Sequence, residues 1–296
     1  MTNKLSRLRL SDLLIHLSVL VFSLACLLPF LMVIGGSFTN ELEIQDHGYQ
    51  LIPRHFSTDA YHILFVQWKV LVNGYKISTI VTVVGTAASV LICAMLAYPM
   101  SLKRVKYRKF LSVYAMLTLL FSGGMVPWYI ICVNYLHLKD SIAALIIPYL
   151  CSAFNVFLIR NYFQSLPEEL SESAKIDGAG EAAIFFKIIM RLSTPVIATV
   201  SLFIALTYWN DWYLGVMLID RSELQPLQLL LRSIVSNIMF LKTSDAAAQM
   251  LSTKGLVPTE GIKLATCVMT IGPIVFLYPF VQRYFIKGIM IGAVKG

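Results

Sequence analysis

Charge is what this chain has least of. Asp, Glu, Lys and Arg make up 14% of its 296 residues, where a soluble domain carries about 25%. With 57% of the residues apolar, the chain needs a nonaqueous solvent to face. The signatures of catalysis are missing too. There is no G-x-x-x-x-G-K-[ST] loop to cradle nucleotide phosphates, no H-E-x-x-H, and no serine–histidine pairing near one face. The five cysteines (Cys26, Cys93, Cys132, Cys151, Cys267) form no C-x-x-C pair and are odd in number. They read as small apolar residues rather than a disulfide framework. The five histidines lack ligand spacing, so no metal site is expected.

What is present is a series of long apolar blocks divided by short charged stretches. A bilayer core about 30 Å thick takes about 20 apolar residues in a helix. Six such spans are expected, over roughly 13–37, 72–100, 110–135, 141–163, 193–219 and 264–284. The alternation of a membrane β-barrel is absent, and backbone groups in lipid must be satisfied within each segment, so the spans are helical. The first run imitates a secretory signal behind Lys4, Arg7 and Arg9. It is too long for one and no A-x-A cleavage site follows, so it is read as a retained transmembrane helix.

The net charge of +8 does not form a nucleic-acid patch. The basic residues flank the spans, and most fall on one side of the six-span arrangement. They lie before the first span, in the loop SLKRVKYRKF (Lys103, Arg104, Lys106, Arg108, Lys109), at Arg160, Lys175, Lys187 and Arg191, and at Arg283, Lys287 and Lys295. The positive-inside rule makes that side the cytoplasm, with both termini there. The expected location is the bacterial plasma membrane.

The cytoplasmic connection after the fourth span reads SLPEELSESAKIDGAGEAAIFFKIIMRLSTP. Ser165 and Glu168 have capping-box spacing, and Leu166, Leu170 and Ala174 recur on one face of a short helix. Asp177-Gly178 breaks it, and a second helical run starts at Glu181. Such an amphipathic bracket lies on the membrane surface. A lipid-bound helix carries a Lys/Arg-rich polar face, whereas Glu168, Glu169, Glu172, Asp177 and Glu181 make this one acidic, which suits a protein partner.

Glu172-Ser173-Ala174, three residues, Gly178, and Ile188 ten residues later resemble the EAA motif of binding-protein-dependent ABC importer permeases. Ser173 replaces the usual middle alanine, and Met190-Arg191 stands where Leu-Pro is usual. FSGGMVPWYI (121–130), residues 148–180, YWNDWYLG (208–215) and QRYFIKGIMIGAVKG (282–296) extend the resemblance to the carbohydrate branch of the family, related to the smaller permease of the maltose system. The resemblance implies an all-α type I importer permease fold: one domain, 1–296, with a five-helix core over 72–284, the EAA loop at 164–192 and an extra helix at 13–37. It implies that Glu172, Ser173, Ala174, Asp177 and Gly178 form a coupling helix docked on an ATPase subunit. Gly292, Val294, Lys295 and Gly296 would reach between the ATPase subunits. The implied partners are a second, non-identical permease, two ATPase subunits that bind the ATP and Mg, an extracellular binding protein, and a sugar or oligosaccharide as substrate. This chain itself would hold no cofactor and catalyse nothing.

Polar groups within spans cost about +2.5–3.5 kcal/mol for an acid at a helix centre, and each asks for a reason. Asn155 falls in the fourth span, and Asn210 and Asp211 in the fifth between Trp209 and Trp212. Amide, carboxylate and aromatic groups together suit a sugar path. Interface anchoring and helix packing account for the same residues, and both readings stand. The outward loop 220–263 is open in the same way, between an interfacial helix and a contact for the binding protein. An ion-coupled secondary transporter is the competing class; it favours repeated halves and several buried acids, where this chain offers Asp211 and no clear repeat.

Overall fold

The computed structural model describes residues 10–66, 68–243 and 259–273. The described part is built from helices joined by turns, with a single isolated bridge between Thr39 and Phe56. The helices are α1 (Leu10–Ser37), α2 (Glu41–His47), α3 (Asp59–Val66), α4 (Trp68–Ser101), α5 (Arg108–Leu120), α6 (Met125–Ile130), α7 (Ile142–Ile146) and α8 (Ala153–Ser165). They continue as α9 (Glu169–Ile176), α10 (Glu181–Ala183), α11 (Met190–Leu192), α12 (Thr194–Trp209), α13 (Tyr213–Leu218) and α14 (Leu227–Thr243), and a further helix covers 259–273.

Among the described residues, α1 and α4 alone are long and apolar enough to cross a membrane unbroken. The count rises to five when each bent helix pair is taken as one span. The third, fourth and fifth spans were expected as continuous helices, and the structure interrupts them. Arg108–Leu120 meets Met125–Tyr135 at 114°, Ile142–Tyr149 meets Ala153–Ser165 at 52°, and Glu181–Leu192 meets Thr194–Trp209 at 82°. The breaks coincide with sequence punctuation. Ser122-Gly123-Gly124 precede Pro127 in the first, Pro148 lies just before the second, and Ser193-Thr194-Pro195 mark the third, where proline is tolerated in an opening helical turn. Hydropathy counted over a window hides these stops. The expected sixth span lies partly outside the described residues.

The described residues group into two compact units. The first takes in residues 10–66, 68, 233–243 and 259–273. Its α1 has none of its most apolar stretch buried within the chain. Beyond α1, two buried glutamates organise the unit. Glu43 accepts the backbone N–H groups of Arg54 and His55 at 3.1 and 3.0 Å. Glu41 accepts the Thr259 hydroxyl at 2.8 Å and the N–H groups of Glu260 and Gly261, so it caps the helix over 259–273. Free N–H groups at a helix start favour a carboxylate there.

In the second unit, 69–232, α8 packs against both α5 and α12. A stripe of small residues on α4 (Gly85, Ser89, Cys93, Ala94, Ala97) lets neighbouring backbones approach, as membrane helix packing requires. Tyr208 of α12 lies over Gly85, shares a hydrogen bond of 3.0 Å with Ser89, and donates to the Ile146 carbonyl at 2.9 Å. Val156, Ile159, Ile184, Val200, Leu214 and Leu218 complete the buried core.

Candidate functional site

The bracket forms as a helix, a turn and a second arm. The closing turn follows from Gly178, whose φ is 80°, a region that costs side-chain-bearing residues about 1–2 kcal/mol. The Gly178 N–H reaches the Lys175 carbonyl and the Ala179 N–H reaches the Ala174 carbonyl, both at 2.9 Å. These paired bonds are the Schellman closure of a helix that ends on glycine. Ala174 and Leu166 pack toward the core while Glu172, Ser173, Ile176 and Asp177 face outward. Ile176 is 87% exposed, an apolar side chain left at the tip.

The start of the bracket differs from the expectation. Ser165 bonds back to the Tyr162 carbonyl and α9 begins at Glu169 without a side-chain cap, so no capping box forms. Glu168 pairs instead with Lys103 at 2.8 Å. At the other arm Glu181 receives Arg104 at 2.6 Å, the Tyr98 hydroxyl at 3.1 Å and Lys175 at 3.1 Å. The guanidinium of Arg104 is raised above its ordinary value, first by its hydrogen bond to Glu181. Two of the five acids are thus spent inside the chain, and Glu169, Glu172 and Asp177 remain on the outer face. Lys103, Arg104, Arg108, Glu168, Glu172 and Lys175 contribute to the lining of an open cleft of about 500 Å³ between the bracket and the basic loop. Sequence reasoning used the basic loop 103–109 for sidedness alone, and the pairing of that loop with the bracket carried no sequence signal.

The second arm widens into a π-helical turn over Ile184–Ile189 before the 82° bend. Ser193 starts α12 with Pro195 in its first turn, four residues after the position where the motif usually has its proline.

Of the residues considered for a substrate path, one lines a cavity and a second holds a tyrosine of that lining. Asn155 lines a cavity of about 360 Å³ with Tyr149, Ser152, Cys151, Thr207 and Tyr208. Asp211 accepts the Tyr149 hydroxyl at 2.9 Å and the Leu214 N–H at 3.2 Å. The others turn away. Trp209 is buried against Tyr75. Asn210 donates its side-chain amide to the Leu206 carbonyl, ending α12 where a continuous fifth helix was expected. Trp212 lies beneath the Arg232 guanidinium, 3.5 Å from its ring centre. Gly292, Val294, Lys295 and Gly296 lie outside the described residues. No group of three or more metal-ligating side chains occurs among the described residues.

The model of the "Binding-protein-dependent transport system inner membrane component" family matches residues 9–291. The chain belongs to that family. It is a non-catalytic, multi-pass membrane permease component of a binding-protein-dependent ABC transporter. The polygalacturonan/rhamnogalacturonan transport system permease YtcP of Bacillus subtilis is 40% identical over 97% of this chain and 99% of that one. Protein LplC of the same organism is 40% identical over 91% and 90%. The arabinooligosaccharides permease AraQ of Halalkalibacterium halodurans is 31% identical over 90% and 91%. Among solved structures, a chain of a bacterial ABC transporter that imports the acidic polysaccharide alginate superposes with a TM-score of 0.79 at 28% identity, covering 96% of this chain and 100% of the other. The helical permease architecture is shared with that transporter.

Proposed function

We propose that this permease forms, with a second and non-identical permease, the path for a sugar or oligosaccharide delivered by an extracellular binding protein. Two ATPase subunits then drive it from the cytoplasmic side. The observation that carries the reading is the bracket: a glycine-closed turn presenting Glu172, Ser173, Ile176 and Asp177 outward while Ala174 anchors it inward. An apolar tip ringed by carboxylates fits a basic-rimmed pocket on a protein. The carbohydrate part of the reading is supported by the relatives' substrates and by Asn155, Tyr149 and Asp211, whose amide, phenol and carboxylate match sugar hydroxyls. Under this reading the chain is one permease domain with six spans and both termini in the cytoplasm. Its tail from Gly292 onward joins the ATPase contact.

Co-purification tests it. A tagged copy of this chain, expressed with its partner permease and ATPase, is expected to retain stoichiometric ATPase, and Glu172→Ala and Gly178→Val to lose it. The ion-coupled alternative would take over if the chain purified alone and accumulated solute in liposomes under an ion gradient.

A further inference from the structure

The break in the fourth span leaves backbone carbonyls without the partner that a continuous helix supplies, and α4 meets them. Ser89 Oγ lies 3.5 Å from the Tyr149 carbonyl, and one turn further along the same face Cys93 Sγ lies 3.9 Å from the Leu150 carbonyl. The next residue in the break is Cys151. Cys93 thus faces the backbone that carries the Cys151 side chain. The two sulfurs differ in access: Cys93 has no exposed surface, whereas Cys151 is exposed and lines the 360 Å³ cavity with Ser152 and Asn155. A small oxidant entering that cavity therefore meets Cys151 first, with a second thiol of the same chain behind it.

We propose that Cys93 and Cys151 form a redox-responsive dithiol which, on oxidation, staples α4 to the break in the fourth span. The chemistry balances with a hydroperoxide as oxidant. Attack by the Cys151 thiolate breaks the O–O bond, releases alcohol or water, and leaves a sulfenic acid. Attack by the Cys93 sulfur then forms the disulfide and releases a second molecule of water. Two thiols thus lose two electrons to one peroxide. Cys93 Sγ already lies 3.9 Å from the carbonyl of the residue before Cys151, so the bond needs a short approach to about 2.05 Å. The consequence is mechanical. The 52° junction between Ile142–Tyr149 and Ala153–Ser165 is held to α4 by weak polar contacts, and a covalent bridge removes its freedom to reshape as the permease changes state.

The test treats membranes containing the complete transporter with hydrogen peroxide, followed by peptide mass spectrometry and ATPase assay of the purified complex. The expected result is a linked peptide joining Cys93 and Cys151, with ATPase falling at least about tenfold and recovering in dithiothreitol. Cys151→Ser, which swaps an exposed thiol for a hydroxyl, is expected to show no linked peptide and a treated-to-untreated ratio near one. Cys26, Cys132 and Cys267 stay in every variant as internal controls. Absence of the linked peptide overturns the dithiol, and equal inhibition of Cys151→Ser overturns its role. A linked peptide without loss of ATPase overturns the lock. The peptide readout is made on this chain alone, so it stands or falls separately from the transport reading.

Discussion

Arg104 Nη2 lies 2.6 Å from Glu181 Oε2, and that contact ties the loop between α4 and α5 to the second arm of the bracket. The two side chains are 47% and 49% exposed, and pairs in such surroundings contribute about 0.2–1 kcal/mol. Their value lies in position. Under the proposed function the bracket transmits force to the spans and must not swing on its own, and Glu181 is pinned by Arg104, Tyr98 and Lys175 together.

Arg104→Ala and Glu181→Gln are therefore expected to lower the melting temperature slightly while reducing transport-coupled ATPase by about 3- to 30-fold, the range of mutations along a coupling element. The charge-reversed double variant Arg104→Glu with Glu181→Arg should regain part of the loss. A melting temperature that falls in step with coupling would show that the pair holds the fold and not the bracket.

In the turn before α7, Asp140, at φ 56°, accepts the backbone N–H groups of Asp220 and Arg221 at 2.7 and 2.9 Å. Those N–H groups, Arg221 first, hold its carboxyl below the usual aspartate value of 3.8. A depressed carboxylate contributes stability that is complete above its unfolded value and lost as pH falls through the folded one. This staple is thus expected to be invariant from pH 8 to 5 and to open below pH 3.8. Hydrogen exchange at the Asp220 and Arg221 amides, followed against pH, measures it. Asp140→Ala should expose both amides at every pH, and a wild-type transition near pH 6 would contradict the assignment.

Gly178 supplies a third expectation. Its φ of 80° is open to asparagine at small cost and closed to β-branched residues. Gly178→Asn should keep ATPase in the co-purification, Gly178→Ala should weaken it, and Gly178→Val should abolish it. Nothing lies within 4 Å of the position where a Cβ would stand, so the cost across the three is backbone strain at the turn, about 1–2 kcal/mol at most, and not a clash. An order that follows side-chain charge would point to the surface chemistry of the partner and not to the turn.

The bracket was legible before any coordinates because its signals are local. Spacing from Glu172 to Gly178, the glycine stop and the acidic face all lie within one short stretch. What stayed hidden was relational. Glu181 and Arg104 are 77 residues apart in sequence, and nothing in either neighbourhood marks the other. Cys93 and Cys151 were read as separate apolar fillers for the same reason, since thiols from two spans share no motif. The spans themselves were over-smoothed. A window wide enough to detect a membrane helix averages across Ser122-Gly123-Gly124 and across Asn210, where Tyr208 and Trp209 end one helix and Tyr213 begins the next.

The packing of α4 on α12 gives the last expectation, and it concerns stability alone. A Cβ added at Gly85 would stand 2.6–2.9 Å from three ring atoms of Tyr208, closer than carbon atoms approach. The ring cannot retreat freely, because its hydroxyl is held by Ser89 and by the Ile146 carbonyl. Gly85→Ala should therefore destabilise by about 1–3 kcal/mol, as overpacking does. Tyr208→Phe removes the hydrogen bonds but keeps the ring, and should cost about 1 kcal/mol. Tyr208→Ala removes the obstacle, so adding Gly85→Ala to it should cost almost nothing more. The cycle, read from thermal unfolding in detergent micelles, is expected to show an interaction of about 0.5–3 kcal/mol. If the two single effects simply add, Gly85 is not the place where α4 yields to Tyr208, and the small-residue stripe must act through another neighbour.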